Sequence, residues 1–345
     1  MNRNTEHAFS SLENASKKNE RTPRKKMGLS AAALGLSLLA LSGCTSDAAP
    51  KPETSVSSTP AESATATLTP EAIPPKEVVG LNGEYFLDTP SWQEDFSTSP
   101  EGAFKDDSWN IYTGPAEANR EAQYYTDRKE NLRIEDDTVV IQAHSDSPEG
   151  YTSARINTEG KEDFQYGKFE ISAKLPNGVG TWPAVWMLPT EHKYRQQYPN
   201  GTFKGYYVDG EIDILEAIGS EQNKIYGIAH SLEDPINPDY DGGYFNTINV
   251  PDADTAFHTY GLEWTPTNLT FSVDNQVYYT VNKSEMSDFK TWPYDQKYHL
   301  IVNLALGGNW AGLQKDTFPP LGIDDNKLPA SLELKSIKYF PYVQK

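Results

Sequence analysis

The chain has 345 residues, a net charge of −19, a pI near 4.7, 12% aromatic residues and a single cysteine. So acidic a protein repels nucleic acid and strongly anionic polymers, and a neutral substrate is more compatible with it. One cysteine excludes an internal disulfide.

Residues 1–26 are polar and end in Arg21, Arg24, Lys25 and Lys26. Residues 27–42, MGLSAAALGLSLLALS, form an uncharged, largely apolar run. That run is shorter than the ~20 residues a membrane span needs, and it fits a signal-peptide core. It leads into Leu41-Ser42-Gly43-Cys44, which resembles the lipobox of bacterial lipoproteins, where the cysteine is lipidated and becomes the new N-terminus. The expectation is an extracytoplasmic protein, held on a bacterial cell membrane through lipid on Cys44. A plain secretion signal with an incidental cysteine is the alternative. Residues 1–43 carry 7 Lys+Arg and 3 Asp+Glu, which leaves 23 against 46 in the remainder, a net of −23. Residues 44–80 are rich in Ser, Thr, Pro and Ala and cannot bury a core, so they read as a disordered tether. Residues 81–345 are long enough for one large β domain.

Within that domain, short patterned runs alternate with turn signals. TVVIQAH (138–144), GKFEISAKL (167–175), YGLEWT (260–265), LTFSVD (269–274), QVYYTV (276–281) and YHLIVNLAL (298–306) all read as strands. Asp274-Asn275 divides two of them as a hairpin turn. No long stretch has a period of 3.6, and no repeat is evident. The pattern predicts an all-β sandwich of two antiparallel sheets. Aromatic side chains offer flat faces to the apolar C–H faces of sugar rings, so a Trp- and Tyr-lined groove suits a polysaccharide.

GVGTWPAVWMLP (178–189) places Trp182 and Trp186 four residues apart, on one face of a regular strand. Pro183 cannot donate to a ladder, which predicts a strand start or edge there. The segment reads as a binding wall.

YVDGEIDILEAIG (207–219) brings Glu211, Asp213 and Glu216 together among β-branched and bulky apolar residues, so it reads as a strand. Alternation puts Glu211 and Asp213 on one face and Glu216 on the other. A β-bulge between Asp213 and Glu216 returns Glu216 to the acidic face. Glycoside hydrolysis uses one ionised carboxylate and one carboxylic acid kept protonated, and mutual repulsion with burial raises carboxyl pKa values. Taken alone, the ExDxxE pattern reads as a calcium site or a solvated strand edge, and only the flanking sequence favours catalysis.

Six ordered fragments then converge on one resemblance: WQEDF (92–96), NREAQYYT (119–126), the run 151–189, GEIDILEAIG (210–219), FHTYGLEWTP (257–266) and NLALGGNWAG (303–312). Over nearly all of 82–345 the chain resembles glycoside hydrolase family sixteen, and within it the laminarinase-like endo-β-glucanases. The resemblance implies a β-jelly roll of two curved antiparallel sheets, with an open substrate cleft on the concave face. It implies Glu211 as nucleophile, Glu216 as acid/base and Asp213 hydrogen-bonded to Glu211. It also implies Trp182 and Trp186 as a glycone-side platform, Asn119 and Arg155 as sugar-binding groups, and His230 near the acid/base.

The implied function is a retaining endo-β-glucanase that acts, as a monomer, on neutral β-1,3 or mixed β-1,3/1,4 glucans. Agar- or galactan-cleaving relatives, transglycosylases and non-catalytic glucan-binding proteins are the alternatives. No cofactor is expected. Many relatives hold a structural calcium with an Asp on their last strand; Lys335 takes that position here, which predicts weak or absent calcium. The stretch 191–207 reads as an insert on the cleft rim.

Overall fold

The computed structural model describes residues 76–345, apart from 105, 117, 147–149, 196–206, 234–242 and 313–321. Cys44, the leader and nearly all of the tether lie outside the described residues, as does most of the insert. The domain reaches slightly ahead of Leu81, with a strand at Glu77–Val79.

Two sheets account for the architecture. Among the described residues the outer sheet has fourteen strands, and its central path runs from Gln276–Asn282 through Asn268–Val273, His258–Trp264, Gly167–Lys174, Ala330–Val343 and Thr138–Asp146. The cleft sheet has seven, in the order Tyr244–Asn249, Lys224–His230, Glu211–Ala217, Thr181–Pro189, Tyr298–Leu306, Arg155–Asn157, Asn110–Tyr112. All pairs in the cleft sheet are antiparallel.

Alternation decides which face each strand buries. Phe169, Ile171 and Ala173 are fully buried while Lys168, Glu170 and Ser172 between them face outward. Each such Phe or Ile contributes about 1.5–3 kcal/mol by leaving water. From the neighbouring strand Tyr260, Leu262 and Trp264 join the same core, and Trp264 meets Tyr298 of the cleft sheet edge-on at 5.4 Å. Tyr298–Leu306 lies mid-sheet and is buried along its whole length. At the expected hairpin, Asp274 and Asn275 both take left-handed backbone (φ 49° and 64°) between the paired Val273 and Gln276, the turn that matches strand twist.

Glu263 points away from the core, where its carboxylate accepts the backbone N–H groups of Leu81 (2.8 Å) and Asn82 (3.1 Å). Leu81 and Asn82 are thereby clipped to the outer sheet. One expectation fails. Thr181–Pro189 is a central strand, flanked on both sides, rather than an edge. Pro183 is tolerated because pairing with the acidic strand starts only at Ala184.

Candidate active site

Glu211–Ala217 enters the sheet through a fixed turn. Asp209 is buried; its Oδ1 accepts from the amides of Tyr194 (2.8 Å) and Arg195 (2.9 Å). Its backbone carbonyl accepts from the Tyr298 hydroxyl (2.6 Å) and Gln296 Nε2 (2.9 Å). Gly210 follows at φ 79°, where a Cβ would stand 2.5 Å from the Tyr298 hydroxyl and 2.6 Å from Pro293. Only glycine suits that position.

The bulge is where the spacing placed it. Along Lys224–His230, Glu211 faces His230 and Asp213 faces Ile228, but Glu216 faces Tyr226, so three steps on one strand match two on the other. The same shift occurs against the tryptophan strand, where Trp186 faces Asp213 and Ala184 faces Glu216. Ile212, Ile214, Leu215 and Ala217 join the core.

The three acids are crowded together out of water. Asp213 is buried, Glu216 nearly so, and the Glu211 side chain is 19% exposed. His230 Nε2 lies 3.0 Å from Asp213 Oδ2 and 3.7 Å from Glu211 Oε1. The sequence placed His230 near the acid/base; its ring contacts the Asp213–Glu211 end of the trio. Trp182 Nε1 donates to Glu216 Oε1 at 2.7 Å. Burial, followed by the charge of Asp213, pushes Glu211 up to about 8, partly offset by His230 and Arg155. Burial and Asp213 hold Glu216 well above the usual carboxylate range, against the pull of the Trp182 N–H and His230. Burial raises Asp213 as well. The site therefore retains protons at neutral pH, and it sets a carboxylic acid that can donate beside a carboxyl with a cationic neighbour.

The cleft walls are aromatic and held in place. Trp186 Nε1 donates to Asn303 Oδ1 at 2.7 Å, and the Arg155 guanidinium stacks 5.0 Å above its ring and 5.8 Å from Tyr112. Trp182 meets Trp310 edge-on at 5.2 Å, and Trp310 in turn meets Tyr226 at 4.9 Å. Tyr207, at the described end of the insert, stacks on His230 at 4.3 Å and 9°. Asn119 is exposed at φ 56°, with its Nδ2 3.3 Å from Glu121 Oε1 and its carbonyl accepting from the Asn309 amide at 2.8 Å. Contacts thus join Trp182 to Glu216, Arg155 to Trp186, and His230 to Asp213 and Glu211, with Asn119 beside Glu121.

Sequence reasoning missed Glu121, Asn303 and Trp310, and covered Tyr207 only as the end of the 191–207 rim. Glu121 is held by Gln123 Nε2 at 2.8 Å, and burial raises its pKa. Glu121, Asn303 and Trp310 fall within fragments that carried the resemblance, but nothing local marked them as cleft residues. Among the described residues, one set of metal-capable groups lies within 4.8 Å, Glu211, Asp213 and His230, and it shares Glu211 and Asp213 with the acidic trio.

A two-sheet β fold with paired buried glutamates beneath tryptophan walls is the arrangement of a carbohydrate-cleaving enzyme. Residues 119–318 match Glycosyl hydrolases family 16, and the chain belongs to that family. A beta-glucanase from Rhodothermus marinus is 37% identical over 262 residues, covering 73% of this chain and 85% of the relative. The X-ray structure of the laminarinase from Rhodothermus marinus superimposes with a TM-score of 0.63 at 34% identity, over 74% of this chain and 98% of that one. A point mutant of SCLam, a non-specific endo-beta-1,3(4)-glucanase co-crystallised with 1,3-beta-D-cellotriosyl-glucose, gives a TM-score of 0.64 at 27% identity, over 79% of this chain and 99% of that one.

Proposed function

We propose that the protein is a retaining endo-β-glucanase that hydrolyses β-1,3 or mixed β-1,3/1,4 glucans by double displacement. The bulge carries this reading, because it turns Glu216 onto the face already occupied by Glu211 and Asp213. In the fraction of molecules in which Glu211 is ionised, it attacks the anomeric carbon while Glu216, kept protonated by burial, gives its proton to the departing oxygen. Glu216 then takes a proton from water, which releases the sugar with retained configuration. Asp213 and His230 orient Glu211 and bias its charge. Trp182 and Trp186 stack the glycone arm, with Asn119 and Arg155 hydrogen-bonding its hydroxyls. The activities named for the β-glucanase and SCLam support the substrate class.

The reading includes a monomeric enzyme lipidated at Cys44 and tethered through the residues that precede the strand Glu77–Val79. It includes no structural calcium. Lys335 is exposed, with its ammonium 6.0 Å from the Phe257 ring centre and Lys174 Nζ 5.5 Å from the same ring. Two cationic side chains offer no ligand to a further cation, and no step runs through a metal.

Reducing-end release from laminarin, lichenan, agarose and carrageenan by the wild type and by Glu211→Gln tests the assignment. Cleavage of the first two by wild type alone is expected. Equal activity in the variant would remove Glu211 from the chemistry, and cleavage of agarose alone would overturn the substrate class.

A further inference from the structure

The cleft sheet is not centred on its acidic strand. Four strands lie on the tryptophan side and two on the other, Lys224–His230 and then Tyr244–Asn249 at the sheet edge. Residues directly opposite each other in an antiparallel ladder share a face, so the register carries the cleft face outward across this shorter side. Asp213 faces Ile228, which faces Phe245; Glu216 faces Tyr226 one row away.

Ile228 and Tyr226 are buried, whereas Phe245 is 52% exposed. Tyr226 is fixed by donation from its hydroxyl to Glu221 Oε2 at 2.6 Å and by the edge of Trp310. Its ring backs Phe245 at 6.1 Å with a tilt of 41°. The cleft face of the edge strand therefore carries a supported aromatic ring open to solvent. Two strand spacings, roughly 10 Å, separate Phe245 from the acidic strand, which is about the length of two sugar residues.

We propose that Phe245 is the platform for the second sugar on the leaving-group side of the scissile bond. The proposal rests on the hydrolase reading above, in which Trp182 and Trp186 hold the opposite, glycone arm. The exposed ring offers its face to the C–H face of a sugar, and so it decides which bond of a short oligosaccharide comes to rest beside Glu216. Without it, the energy of binding two sugars beyond the cut falls to that of binding one.

The test is the position of the cut in a β-1,3-linked glucose hexasaccharide isotope-labelled at its reducing end, with products resolved by mass spectrometry. This ratio does not depend on how much of a variant folds. The wild type should release mainly labelled disaccharide. Phe245→Ala should lower the ratio of labelled disaccharide to labelled monosaccharide about tenfold, ~1.4 kcal/mol, and Phe245→Trp should restore it. An unchanged ratio in Phe245→Ala overturns the proposal, as does a shift toward longer labelled products, which would put Phe245 on the glycone arm. A wild type that cuts no β-glucan overturns the hydrolase reading itself, and the platform with it.

Discussion

The indole N–H of Trp182 meets Glu216 Oε1 at 2.7 Å, so one side chain of the cleft wall also sets the proton affinity of the acid/base. A donor favours the ionised carboxylate, and removing it makes the acid weaker. Trp182→Phe should keep an aromatic face and raise the Glu216 pKa. The basic limb of kcat/KM, where Glu216 loses its proton, should move to higher pH, with a lower maximum. A pH–rate profile decides this; a basic limb that stays in place or moves down refutes it.

Burial of Glu211 makes the active site a source of instability with a defined pH window. Folded Glu211 keeps its proton to about pH 8, whereas the unfolded group releases it near 4.5. Between those values the unfolded state binds fewer protons, so stability falls as pH rises through the window and is fully retained below it. Each pKa unit corresponds to about 1.4 kcal/mol. Glu211→Gln, which cannot ionise, should therefore melt above the wild type at pH 8 and alongside it at pH 4. Calorimetry at the two pH values measures this, and a variant that melts lower at pH 8 contradicts it.

Gly210 is predicted to be irreplaceable even by alanine. Its left-handed backbone costs a side-chain-bearing residue about 1–3 kcal/mol, and the added methyl would meet the Tyr298 hydroxyl that anchors Asp209. Gly210→Ala should melt several degrees lower and lose kcat, since the turn aims Glu211. Unchanged melting and turnover would show that the turn has slack.

With Lys335 over Phe257, calcium should neither stabilise nor activate the enzyme. Melting temperatures in chelator and in micromolar calcium should agree; a large rise with calcium would refute this.

Much of the fold could be read from periodicity. The runs at 138–144, 167–175 and 298–306 all became strands, because a sheet with one or both faces buried writes itself into the chain locally. The bulge was legible for a similar reason: a step of five positions from Glu211 to Glu216 is the wrong parity for one face. Pro183 misled because a missing donor matters only where a partner faces it, and that is set by register with a distant strand. Glu121 and Trp310 were invisible because their place in the cleft comes from contacts made far along the chain. Phe245 could not be separated from core aromatics without knowing that its strand ends the sheet.

The clip between Glu263 and the amides of Leu81 and Asn82 has a consequence for how the enzyme meets its polymer. The strands Glu77–Val79 and Tyr85–Leu87 are part of the outer sheet, not of the sheet that carries Glu211 and Glu216. The acidic strand belongs to the other sheet, so this first described segment leaves the face that carries Glu211 and Glu216 clear for a bulky, insoluble polymer.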